Sequence, residues 1–133
     1  MEDITDSKGL PLAVDESVSE LANEVAWDEA WNEKAAIALK PGVLGIERSV
    51  GLCNEAKLRG IPVVFSSCFE SGVGLAHIAT LAGAAGQKEI AQGLGTYTGL
   101  HRDSLPFRAL VHNRDVIDLS ACEGALWNFA CDR

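Results

Sequence analysis

No apolar run in the 133 residues approaches the roughly 20 needed to cross a bilayer, so no membrane partner is expected. Basic charge is scarce as well: 11 Lys and Arg stand against 19 Asp and Glu, a formal net charge of −8. Residues 1–34 hold ten of those acids against Lys8 and Lys34, and residues 35–133 balance to zero. Without a basic footprint, neither nucleic acid nor an anionic lipid surface is an expected partner. The acidic stretch itself reads as a solvated helix face. Cysteine is present but never as a CxxC pair: Cys53, Cys68, Cys122 and Cys131 stand apart. His77, His101 and His112 lack the i,i+4 spacing of a zinc helix, so reduced thiols are expected rather than a metal or disulfide framework. The opening residues MEDITDSKG are acidic and polar, unlike a secretory signal or an Arg-rich transit peptide. Neither GxGxxG nor GxxxxGK[ST] occurs, which argues against a nucleotide site.

What the sequence has is a repeat. The hydrophobic share of 47% and charged share of 23% are ordinary for a globular domain. The length suits one domain, or about half of a ~250-residue barrel. Short apolar runs open at Leu10 (LPLAV), Ala35 (AAIAL), Ile61 (IPVVF) and, more weakly, Glu89 (EIAQGLGTY), spaced 25, 26 and 28 residues apart. Helical stretches follow each of the first three: Ser17 to about Glu33, Ile46 to about Arg59, and Ser71 to about Ala85. Ser17-Val18-Ser19-Glu20 reads as a capping box, and Gly60 as the residue that closes the second helix. Strand, helix and parallel strand at this interval indicate serial βαβ units. The continuous apolar runs predict strands buried on both faces, in an open doubly wound sheet or part of a closed barrel. Residues 98–133 read as a divergent tail. Leu105-Pro106-Phe107 and Asn113-Arg114-Asp115 are loops, and a final helix runs from Ile117 to Phe129 with Ser120 as its cap.

The polar residues lie where the apolar runs stop. Asp15-Glu16 follow the first, Lys40-Pro41 the second and Ser66-Ser67 the third; Gly93 and Gly95 interrupt the fourth. In α/β sheets and barrels, catalytic groups collect at the carboxyl ends of strands. A carboxylate, an ammonium, a hydroxyl and a glycine would supply a metal ligand or base, a cation, a hydrogen-bonding group and close backbone approach. Each has a plainer reading too. Asp15 suits a helix cap, Lys40 a side chain reaching water, and Ser66-Ser67 loop chemistry. Glu70-Ser71 suits the opening of the next helix, Gly93 and Gly95 a turn, and His77 a packed or capping position. Spacing alone leaves both readings open.

The stretches LPLAVDES, IALKPGVLGIERS, GIPVVFSSCFESGVGLAHIATLA and QGLGTY closely resemble o-succinylbenzoate synthase of the enolase superfamily, most strongly its plant form. The resemblance covers about residues 1–97, with FSSCFESGVGL the most specific part. It implies an α/β fold: the C-terminal half of a (β/α)₇β barrel, about four βα units without the family's capping domain. It also implies metal-assisted dehydration of a succinyl-hydroxycyclohexadiene carboxylate to o-succinylbenzoate, in phylloquinone or menaquinone synthesis. By that resemblance Asp15 is a metal-binding carboxylate for Mg²⁺, and Lys40 is the catalytic lysine beside the ring. Ser66 and the backbone N–H of Gly93 would meet the succinyl carboxylate, with Glu16 and Glu70 supporting them from behind. The family's other catalytic lysine and two further metal ligands have no counterpart in these residues, and no Lys-x-Lys occurs. The expectation is therefore a fragment, inactive alone, that self-associates or pairs with a missing barrel half. The resemblance points to the chloroplast. Two alternatives stand beside it: another superfamily activity of the muconate cycloisomerase or dipeptide epimerase type, and a non-catalytic interaction domain.

Overall fold

Along AAIAL the side chains alternate in size, and that alternation decides how the sheet is covered. In a strand, successive side chains point to opposite faces. Ile37 and Leu39 are buried to 1% and 0% exposure, whereas Ala36 and Ala38 between them are only half-buried. The computed structural model describes residues 12–15, 18, 35–96, 111–112 and 116–122. Within them β1 (Leu12–Val14), β2 (Ala35–Leu39) and β3 (Val63–Phe65) form a parallel sheet in the order β1-β2-β3. Val14 pairs with Ile37, Ile37 with Val63, and Leu39 with Phe65. The chain is thus α/β with a small parallel sheet.

One face of that sheet carries the core. Val14, Ile37, Leu39, Val63 and Phe65 pack against Leu52, Cys53 and Ala56 of α2 (Ile46–Leu58) and Ile78 and Ala82 of α3 (Gly72–Ala85). Each large side chain buried this way contributes roughly 1.5–3 kcal/mol. The other face presents Ala13, Ala36, Ala38 and Val64, exposed or half-buried. Of the burial on both faces expected from the continuous apolar runs, the described residues show full burial on one face and half-burial of Ala36, Ala38 and Val64 on the other.

The helices form where caps and breakers dictate. α2 ends at Arg59 because Gly60 takes φ 71°, a left-handed conformation that glycine enters without a Cβ clash. Ser71 starts α3 by accepting the Gly74 N–H on its hydroxyl. The carbonyl of Ala85, near the end of α3, receives both the Cys53 thiol (3.2 Å) and the Lys57 ammonium from α2. Since α3 has no basic residue in its last turn, Lys57 brings a positive charge to its negative end from outside. Burial pushes the Cys53 thiol above its ordinary pKa, partly opposed by Lys57. A four-residue helix, α1 (Pro41–Leu44), opens with Pro41 at a position where its missing N–H does no harm.

The weaker fourth run does not build a full strand. Ser66 and Gly93 make one parallel bridge, and the rest of β3's outer edge is closed by side chains. Gln87 Oε1 accepts the Val63 N–H (3.0 Å) and Gln92 Oε1 the Phe65 N–H (2.7 Å). In the tail, β4 (Val111–His112) pairs antiparallel with β5 (Val116–Ile117), and residues 119–122 are helical. Asp118, not Ser120, caps that helix: its Oδ1 accepts the Ser120 N–H at 2.9 Å. Among the described residues, no helix is long and apolar enough to cross a membrane. Glu16, the helix expected from Ser17 to about Glu33, its capping box, and the loops at 105–107 and 113–115 fall outside the described residues, apart from Val18, which is helical and buried.

Candidate functional site

Three parallel strands running the same way leave their carboxyl ends at one edge of the sheet. Asp15 follows β1, Lys40 follows β2 and Ser66 follows β3, with Gly93 bridged to Ser66. The register sets their relative heights. One step beyond Leu39–Phe65 places Lys40 beside Ser66, and one step beyond Val14–Ile37 places Asp15 level with Ala38. Asp15, Lys40 and Ser66 therefore all belong to the half-exposed alanine face rather than the helix-covered one.

Asp15 and Lys40, 25 residues apart in sequence, meet here. Lys40 Nζ lies 2.9 Å from Asp15 Oδ1, with the lysine side chain 20% and the aspartate 45% exposed. Lys40 also anchors α1, its carbonyl accepting the N–H groups of Val43 and Leu44 at 2.9 Å each. The ammonium thus rises from a backbone pinned at a strand end. Next to it, the Ser66 hydroxyl makes one long contact among the described residues, 3.4 Å to the Ser67 carbonyl. A Cβ at Gly93 would come within 3.2 Å of Ser66 Oγ, so glycine there leaves the hydroxyl room. The Gly93 N–H, expected to meet a carboxylate, instead donates to the Phe65 carbonyl at 2.8 Å. Gly93 serves the site through its missing side chain.

Glu70 holds the loop between β3 and α3. Its Oε2 accepts the Cys68 N–H, and its Oε1 lies where a Cβ on Gly42 would be, 2.4 Å away. Gly42 of α1 and Gly74 of α3 thus both make room for the Glu70 side chain, whose carboxylate holds the loop. His77 is exposed and bonds through Nδ1 to the Val73 carbonyl of its own helix. Cys53 and Cys122 are buried free thiols, and Cys68 is exposed. Burial, then the negative charge of Asp118, raises the Cys122 thiol pKa.

Sequence reasoning missed Phe69 and Thr96, and it did not tell Ser67 from Ser66. Phe69 adopts φ 59°, although its ring is 64% exposed. Ser67 is 3% exposed with its hydroxyl turned inward, and Thr96 stands between the two. Side-chain identity gives no warning of such a backbone, which tertiary contacts impose.

The arrangement brings a carboxylate, a pinned ammonium paired with it, and a hydroxyl to neighbouring strand ends, the cation and hydroxyl being groups that can meet an anion. Mg²⁺ does not fit the described residues by themselves. It wants near-octahedral oxygen coordination. Asp15 already faces an ammonium, and the described residues hold no group of three or more His, Cys, Asp or Glu side chains able to bind a metal. In comparisons with known proteins, no family model matches the chain and no curated protein matches it.

Proposed function

We propose that the chain is the C-terminal half-barrel of an o-succinylbenzoate synthase, of the kind embedded in the plant PHYLLO protein, and that its strand ends bind the carboxylate substrate. One observation carries the reading: the lysine and aspartate that the family motifs single out come together, 2.9 Å apart, at adjacent strand ends. The sheet's open face supports it, since small side chains there suit a barrel interior with a ligand above them.

In this reading Lys40 places a cation beside the ring, where it favours the developing negative charge more than the ground state. Ser66 donates to the succinyl carboxylate, and Gly93 keeps the space beside it clear. Asp15 orients the ammonium; a divalent metal, Mg²⁺ in the family, would need its other ligands from outside the described residues. The self-association or pairing that would complete the barrel belongs to the same reading, as does a chloroplast location.

The test is turnover of the dehydratase substrate with Mg²⁺ present. The 133-residue chain alone should show none. Supplied with a second polypeptide carrying the Lys-x-Lys strand and the two missing carboxylate strands, it should turn over. Lys40→Ala should then lower kcat by at least about 100-fold, the scale on which charged transition-state contacts act. Turnover by the chain alone that survives Lys40→Ala would remove both the incomplete site and the role given to Lys40.

A further inference from the structure

Two hydroxyls lie between a group that can only donate and a group that can only accept. The Phe69 N–H is 3.1 Å from Thr96 Oγ1; Thr96 Oγ1 is 2.7 Å from Ser67 Oγ; Ser67 Oγ is 3.2 Å from the Gly93 carbonyl. A hydroxyl has one proton to give. Ser67 gives its proton to Gly93, so Thr96 must give its own to Ser67, and the Thr96 lone pair receives the Phe69 N–H. The chain runs one way, from Phe69 through Thr96 and Ser67 to Gly93. Such linked bonds polarise one another, and the middle of this chain, at Ser67, is buried while its ends at Phe69 and Gly93 are exposed.

The geometry points to Thr96 as a positioning residue for the anion-binding strand ends, acting through this oriented chain on the loop from Ser66 to Ser71. The inference rests on the carboxylate-binding reading above and deepens it. Thr96 has two effects. It commits the only proton of Ser67, whereas the Ser66 hydroxyl, in a long 3.4 Å contact with the Ser67 carbonyl, can turn to a ligand. It also holds Phe69 at a positive φ that a bulky residue otherwise avoids. Release of that backbone would let the loop turn over and carry Ser66 away from Lys40. Ser66 is doubly constrained, by this loop on one side and by its bridge to Gly93 on the other.

The experiment titrates the chain with o-succinylbenzoate, following backbone amide resonances. Thr96→Val keeps the shape but has no hydroxyl, and Thr96→Ser restores it. Thr96→Val should weaken binding about tenfold, as should Ser66→Ala, and the double variant should lose no more than either alone. Thr96→Ser should bind within about threefold of the parent. A purely structural role would lower the melting temperature of Thr96→Val without changing affinity. That result overturns the positioning role and leaves the proposed function standing. A parent chain that shows no saturable binding of o-succinylbenzoate overturns both.

Discussion

Phe69 concentrates the local cost of the site. For an L residue the left-handed conformation costs roughly 1–2 kcal/mol, and this ring, 64% exposed, recovers little of it by burial. Phe69→Gly should therefore raise stability by roughly 0.5–1 kcal/mol, after allowance for the greater freedom of glycine in the unfolded chain. Urea unfolding measures the change. A loss greater than about 1 kcal/mol would show that the ring packs against the protein after all. The residues on the sheet's edge were legible from sequence because strand ends collect polar groups, and Asp15, Lys40 and Ser66 stand where the apolar runs stop. Thr96 was not legible, nor was the difference between Ser67 and Ser66. The roles of Thr96 and Ser67 depend on a loop folding back over a distance of 29 residues, which no local pattern encodes.

At the scale of elements, the apolar runs and the breakers between them carried most of the information. Gly60 closes α2 and Ser71 opens α3 for the reasons their positions suggest. The fourth strand is where local reading stopped short. Nothing in the weak apolar run singles out Gln87 or Gln92, yet their amide oxygens accept the N–H groups that a neighbouring strand would otherwise take. Gln92 also donates its Nε2 to the Ile90 carbonyl at 2.7 Å, so the amide is held at both ends. Gln92→Met fills the same space without an acceptor and should cost about 1–3 kcal/mol, the range for a buried N–H left unpaired. Hydrogen exchange at the Phe65 amide should speed up in parallel. Unchanged exchange would mean that water or a neighbour replaces the glutamine. The size alternation in AAIAL was visible from the start; attention to apolarity alone hid it.

On the scale of the whole molecule, the half-exposed face and the β1 edge are the parts left uncovered among the described residues. Among the described residues β1 has one neighbour, β2, and the alanine face has no helix over it. Exposed strand edges invite pairing with another chain. We expect concentration-dependent association of the purified chain, measured by sedimentation velocity. A single monomeric species up to about 1 mM would mean that the chain covers its own open side, contrary to the fragment reading.

The glutamine closure of β3 limits how far such association can go. Adding strands to a sheet indefinitely requires two usable edges per molecule, one to receive and one to offer. On β3 the outward N–H groups of Val63, Phe65 and Ser67 are all taken, by Gln87, Gln92 and the Gly93 carbonyl. That leaves the sheet with a valency of one. Two copies joined through β1 about a two-fold axis would use up the available edges and present only stoppered ones, so growth by this route ends at a pair and not a fibre. Three acceptors, two of them side-chain amides, thus limit assembly by strand addition to the three-stranded sheet among the described residues.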